Sequence, residues 1–89
     1  MTAQAATLYG GDWTTSNVKI RKGPSTNTAI VGTGNFADGA VVKCKARGEG
    51  IYGNTIWWYV RNNQSSSNTW GYTSDYYFNV AGAASPPWC

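Results

Sequence analysis

Residues 17–32, Asn-Val-Lys-Ile-Arg-Lys-Gly-Pro-Ser-Thr-Asn-Thr-Ala-Ile-Val-Gly, hold a short alternating run, a Gly-Pro stop, a polar loop and a second apolar run. Val18 and Ile20 alternate with Lys19 and Arg21, so one face of a strand can enter a core while its cations meet water. Pro24 has no backbone donor and a fixed φ, which ends that strand. The stretch sketches the first arm of a small β-barrel.

The rest of the chain is punctuated in the same way, and no window keeps the three-to-four spacing of an amphipathic helix beyond one turn. An all-β fold is therefore expected, with strands near 7–9, 17–21, 29–33, 40–46, 56–60, 70–73 and 78–80. Asp38-Gly39 signals a tight turn. Gly48, Gly50 and Gly53 mark a second loop, and the polar run 62–69 a third that is expected to be mobile. Ser74-Asp75-Tyr76 reads as one turn of 3₁₀ helix with Asp75 as its cap. Pro86-Pro87 in the tail, residues 81–89, forbids regular sheet pairing and predicts an extended segment over the barrel, with Trp88 docked on apolar surface beside the strand of Cys44. No internal repeat is present, so a single module is expected.

A chain of 89 residues buries only about 60–65% of its unfolded surface, and its core needs help. Cys44 and Cys89 are the only thiols and the chain has no His. An even pair in a small, aromatic, Gly-rich chain favours an extracellular disulfide over zinc, with two reduced thiols in a cytosolic protein as the other reading. Joined, the cysteines would close a loop of about 45 residues and stabilise the fold by roughly 4 kcal/mol on the chain-entropy view.

The net charge of +3 comes from seven basic and four acidic residues. That is a mild bias towards anionic surfaces such as a bacterial wall and too diffuse for nucleic acid. No run is long enough to span a membrane. The leading Met-Thr-Ala-Gln-Ala-Ala-Thr lacks the cationic start and apolar stretch of a complete export signal, while Gln4-Ala5-Ala6 has the composition found near cleavage sites. It is read as the trimmed remainder of a signal, with Met1 an expression start.

Catalysis is not expected. No serine can pair with an imidazole, both cysteines are expected to be oxidised, and no metal or other cofactor is implied. Of the acids, Asp38 and Asp75 already have turn and cap roles, leaving Asp12 and Glu49 unassigned where a glycosidase needs a facing pair. Binding fits better. Trp, Tyr and Phe make up 15% of the chain, more than a core of this size can hide. In Trp57-Trp58-Tyr59-Val60, alternation exposes either Trp57 and Tyr59 or Trp58 and Val60.

Four blocks in order carry a resemblance. Asn17-Val18-Lys19-Ile20-Arg21-Lys22-Gly23-Pro24-Ser25-Thr26 with Ile30-Val31-Gly32 resembles the opening strands of bacterial Src-homology-3-like domains, and Trp70-Gly71-Tyr72-Thr73-Ser74-Asp75-Tyr76-Tyr77 resembles their closing strand and turn. Lys43-Cys44-Lys45-Ala46-Arg47-Gly48 and Gly53-Asn54-Thr55-Ile56-Trp57 resemble a secreted actinobacterial branch with a mid-chain Cys. The resemblance implies a small, partly open β-barrel over residues 17–80, preceded by a segment 1–16 with a short strand and followed by a tail that the Cys44–Cys89 disulfide ties down.

By that family's pattern Trp58 and Val60 go inside, and Trp57 and Tyr59 lie on the surface near loops. Tyr52, Trp70, Tyr76, Tyr77 and Arg61 add to the expected ligand surface, while Tyr72, Trp58, Phe36 and Phe78 are assigned to the core. The resemblance further implies a secreted, monomeric, non-catalytic module that recognises peptidoglycan, by its peptide stem or cross-bridge, in a groove between loops. The polar insertion 62–68 departs from the tighter turn of many relatives. The alternative is a secreted inhibitor or accessory subunit that grips another protein through the same aromatic surface.

Overall fold

The computed structural model describes residues 7–82 and 84–89. Seven strands are formed: β1 (Tyr9–Trp13), β2 (Val18–Arg21), β3 (Ile30–Gly34), β4 (Ala40–Ile51), β5 (Asn54–Asn62), β6 (Gly71–Ser74) and β7 (Phe78–Val80), with a 3₁₀ turn, Asp75–Tyr77, between the last two. They make one antiparallel sheet in the order β3-β2-β6-β5-β4-β1-β7. The expected all-β fold is present, but the sheet does not close. A single parallel bridge joins Trp13, at the end of β1, to Phe36, just past β3, and it is not a ladder.

The core collects the inward residues of five strands: Trp13, Val18, Ile20, Ala40, Val42, Val60 and Phe78. Trp13 meets Phe78 edge to face, with centroids 5.3 Å apart, the geometry favoured by the ring quadrupoles. Its buried Nε1–H donates to Thr73 Oγ1 at 3.1 Å, avoiding the penalty of about 1–3 kcal/mol for an orphaned donor. β3 lies so close that a Cβ at Gly34 would overlap the Trp13 indole. Trp58, half-buried, packs against this core, and Tyr72 is also half-buried.

Phe36 does not join the core. It is 66% exposed, because its turn is fixed by the backbone. Ala37 stands at φ 74° and donates its N–H to Asp12 Oδ2 at 2.8 Å, while the Gly39 N–H donates to Oδ1 at 3.0 Å.

The first strand begins at Tyr9 and runs to Trp13 in place of 7–9, since its partners are Val42, Val41 and Ala40 on one side and β7 on the other. The Gln4-Ala5-Ala6 reading lies outside the described residues. β4 continues through Gly48 and Gly50, which read as a loop, and the turn falls at Tyr52-Gly53, where Gly53 stands at φ 86°; the ladder shifts register between Val42 and Cys44 and between Arg47 and Ile51. No helix among the described residues is long and apolar enough to cross a membrane.

The Cys44–Cys89 disulfide is formed, with a sequence separation of 45. β1 pairs β4 only at Ala40, Val41 and Val42, and further along β4 the tail is added. The Lys45 N–H donates to the Pro87 carbonyl at 2.8 Å, and the Cys89 N–H to the Lys45 carbonyl at 2.8 Å. Pro86 is fully buried. Trp88, expected on apolar surface, is instead 52% exposed, with its ring beside Lys45 and Arg47. Its backbone bridges Lys45, which directs the side chain to the cationic side of β4.

Candidate functional site

Directly opposed residues of antiparallel strands point to the same side of a sheet. The pairs Arg21–Tyr72, Tyr59–Tyr72 and Trp57–Ser74 therefore put these five side chains on one face. A loop after β2 is latched onto that face. Glu49 accepts from the Thr26 N–H at 2.9 Å, Thr26 Oγ1 at 2.7 Å and Ser25 Oγ at 3.1 Å, while its own N–H donates to the Pro24 carbonyl at 3.0 Å. Contact is tight enough that a Cβ at Gly48 would overlap the Pro24 carbonyl oxygen. Arg21 Nη1 donates to the Thr26 and Thr28 carbonyls at 3.0 and 2.9 Å. The Thr26 hydroxyl and then the Thr26 N–H hold the Glu49 carboxyl below its ordinary range against desolvation, with lesser help from the Ser25 hydroxyl and the Arg21 charge.

This latch corrects the reading of Trp57. Its side chain takes the face expected for it, opposite to that of Val60, yet it is only 2% exposed. The indole Nε1–H donates to the Glu49 carbonyl at 2.9 Å, which pins the ring beneath the segment that the loop grips.

Beside the latch lies a groove of about 330 Å³ with Trp57 and Val18 at its apolar base. Thr15, Ser16, Thr26 and Ser74 give it hydroxyls, Asn17 an amide, and Lys19 and Arg21 its only charges. Asn17 reaches its place at φ 60°, a left-handed conformation that Asn tolerates, and its N–H donates to Asn35 Oδ1 at 2.7 Å. Tyr77 also lines the groove and leads out of it. Tyr77 meets Tyr76 edge to face at 4.9 Å, and Tyr76 meets Tyr52 at 4.8 Å. Tyr52 is 79% and Tyr76 48% exposed.

Two backbone devices hold this tyrosine wall. Tyr52 sits at φ 49° in the turn that joins β4 to β5. The 3₁₀ turn is capped by Ser74, whose Oγ accepts from the Tyr76 N–H at 3.2 Å, and not by Asp75 as expected. The Asp75 carboxylate is drawn away by stronger donors, accepting from Trp58 Nε1 at 2.7 Å and Asn54 Nδ2 at 2.8 Å.

A second cluster stands on the same face. Tyr59 stacks on Trp70 with centroids 5.5 Å apart and meets Tyr72 at 4.9 Å. Lys43 and Arg61 lie 5.9 and 5.8 Å from the Trp70 ring centre. Arg61 Nη1 donates to Asn68 Oδ1 at 2.8 Å, and Arg61 Nε is buried without a partner. The 62–69 loop is tied further, by the Asn63 N–H to the Gly39 carbonyl and by a Ser65–Ser67–Thr69 chain of hydroxyls.

The six expected residues thus fall in three places. Tyr59, Trp70 and Arg61 come together, Tyr52 joins Tyr76, and Trp57 is buried under the latch. Tyr77, a further aromatic expected on the surface, lines the groove, whereas Thr15, Ser16, Asn17, Lys19 and Ser74 were missed as site residues. The polar run between Trp13 and Val18 was the available signal, because it must turn the chain between two buried anchors. All four side-chain carboxylates are engaged by the scaffold. Asp38 Oδ2 accepts from Asn62 Nδ2 and from the Asn35 N–H and Nδ2, at 2.9, 3.0 and 3.2 Å, and the Asn62 bond leads in holding its pKa below the ordinary value. Among the described residues no three His, Cys, Asp or Glu gather as a metal-binding group.

Comparison with protein-family models, with curated proteins and with solved structures finds no match for this chain.

Proposed function

We propose that this chain is a secreted, non-catalytic binding module of the bacterial Src-homology-3-like kind, and that its groove takes the peptide portion of cell-wall peptidoglycan. The observation that carries the reading is the groove itself. It has an apolar base, a rim of hydroxyl and amide groups, two cations and no carboxylate, and it opens onto exposed tyrosines. An extended peptide presents backbone donors and acceptors to such a rim, and its free carboxylates suit Lys19 and Arg21. Tyr76 and Tyr52 offer flat faces to the attached sugar. The disulfide supports export, since such bonds persist in oxidising compartments. The resemblance over residues 17–80 and the open seven-stranded sheet support the fold assignment.

Co-sedimentation with purified peptidoglycan sacculi tests the reading. The wild-type chain should be retained at low salt, and Y52A/Y76A should weaken retention by about tenfold, the equivalent of 1.4 kcal/mol. K19A should weaken it less and flatten its salt dependence. Absence of retention at low salt would turn the assignment to a secreted protein partner gripped by the same surface.

A further inference from the structure

Four of the seven cations lie beside two tryptophan rings, while the four side-chain carboxylates are held by other groups. Lys43 and Arg61 flank Trp70, and Lys45 and Arg47 flank Trp88. The first pair is partly engaged, because Arg61 also donates to Asn68. The second pair meets the indole alone among the described residues: Lys45 Nζ is 4.8 Å and Arg47 Cζ 5.4 Å from the ring centre.

Trp88 is exposed, yet it is held in place from both sides. The disulfide at Cys89, the two backbone hydrogen bonds between Lys45 and the tail, and the burial of Pro86 fix the chain around it. Lys45 and Arg47 stand two residues apart on β4, so their side chains share a face, and the bridge from Lys45 to Trp88 puts the indole on that face too. A half-exposed indole with two positive charges over its ring is thereby preorganised, and none of the three residues lines the groove.

We infer that Lys45, Arg47 and Trp88 form a second binding site, for an acidic saccharide. The sugar ring stacks on the open part of the indole, and its carboxylate or phosphate pairs with the two cations. Two adjacent cations repel a cationic ligand and give an anionic one an advantage over a neutral one, and the exposed part of the indole adds a contact for the C–H groups of a pyranose that a bare inorganic ion cannot use. The site is independent of the groove proposed above.

The test is titration of the ¹⁵N-labelled, oxidised full chain, with the Trp88 indole N–H resonance assigned from W88F. Probes are a glucuronic-acid disaccharide, glucose 6-phosphate, neutral maltose and an Asp-Glu dipeptide. Both acidic sugars, or one of them, should shift the Trp88 indole and the Lys45 and Arg47 amides, and the two arms tell carboxylate from phosphate recognition. Maltose and the dipeptide should bind at least about tenfold more weakly, and K45Q/R47Q should lose a similar factor while the groove resonances of Thr15 and Tyr77 stay in place. No shift at Trp88 with either acidic sugar, an equal response to maltose or the dipeptide, or unchanged binding in K45Q/R47Q would each overturn the inference. Sacculus retention through the groove should survive W88A, so failure of one site does not mimic failure of the other.

Discussion

Trp57 and Tyr76 should respond to truncation very unequally, although both were expected on one aromatic surface. Trp57 is sealed and donates to the Glu49 carbonyl, so W57A should cost about 3–5 kcal/mol in urea denaturation, the range for emptying a buried aromatic site. Y76A should change stability by no more than about 0.5 kcal/mol, as for an ordinary surface site. Equal losses would contradict the burial difference. Gly34 provides a second residue-scale test. A Cβ there has no room against the Trp13 ring, and G34A should destabilise the chain by about 3 kcal/mol through overpacking. A neutral G34A would mean that β3 does not lie against Trp13.

The latch between the 23–28 loop and the β4–β5 hairpin is a testable element. The Glu49 carboxyl is held below its ordinary range, so its folded pKa is lower than its unfolded one. Such a group adds stability that is present above the unfolded value, about 4.3, and lost as pH falls through the folded value. Asp38 acts in the same sense from about 3.9 downwards. The wild-type melting temperature should therefore drop from pH 6 to pH 3, and E49Q should drop less over that interval while starting lower. An equal drop would remove Glu49 from the acid response. Much of this architecture was legible in the sequence, and what was not has physical causes. Period-two alternation put Trp57 and Val60 on opposite faces and left open which face is inward, a choice that rested on the resemblance, and no local pattern shows that a distant loop will roof one end of a face. Gly48 and Gly50 read as turn residues, although β4 runs through them and Gly48 serves the close approach of Pro24. Asp75 read as a cap because Asp and Ser are both preferred there and the sequence does not choose between neighbours; Ser74 takes the role, and only the fold brings Trp58 and Asn54 to the Asp75 carboxylate.

At the scale of the molecule, an open sheet of 89 residues is held by a small core and a covalent tie across 45 positions. Reducing Cys44–Cys89 should lower stability by about 4 kcal/mol on the chain-entropy view. The urea midpoint should fall, and thiol titration of the unreduced, unfolded chain should find no free thiol. The place of Trp88 beside the strand of Cys44 was legible in the sequence, whereas its cationic setting was not, because cations and indole meet only once the disulfide places the tail beside Lys45. The two proposed binding surfaces use different parts of one scaffold, the groove on Trp57 and the edge of β4. The most direct measurement is the footprint of a soluble muropeptide, carrying its stem peptide, on the ¹⁵N-labelled oxidised chain. We expect shifts concentrated at Thr15, Asn17, Lys19, Thr26, Ser74 and Tyr77, with smaller ones at Tyr52 and Tyr76. A footprint that avoids these residues, or no footprint at millimolar ligand, would contradict peptidoglycan recognition by the groove.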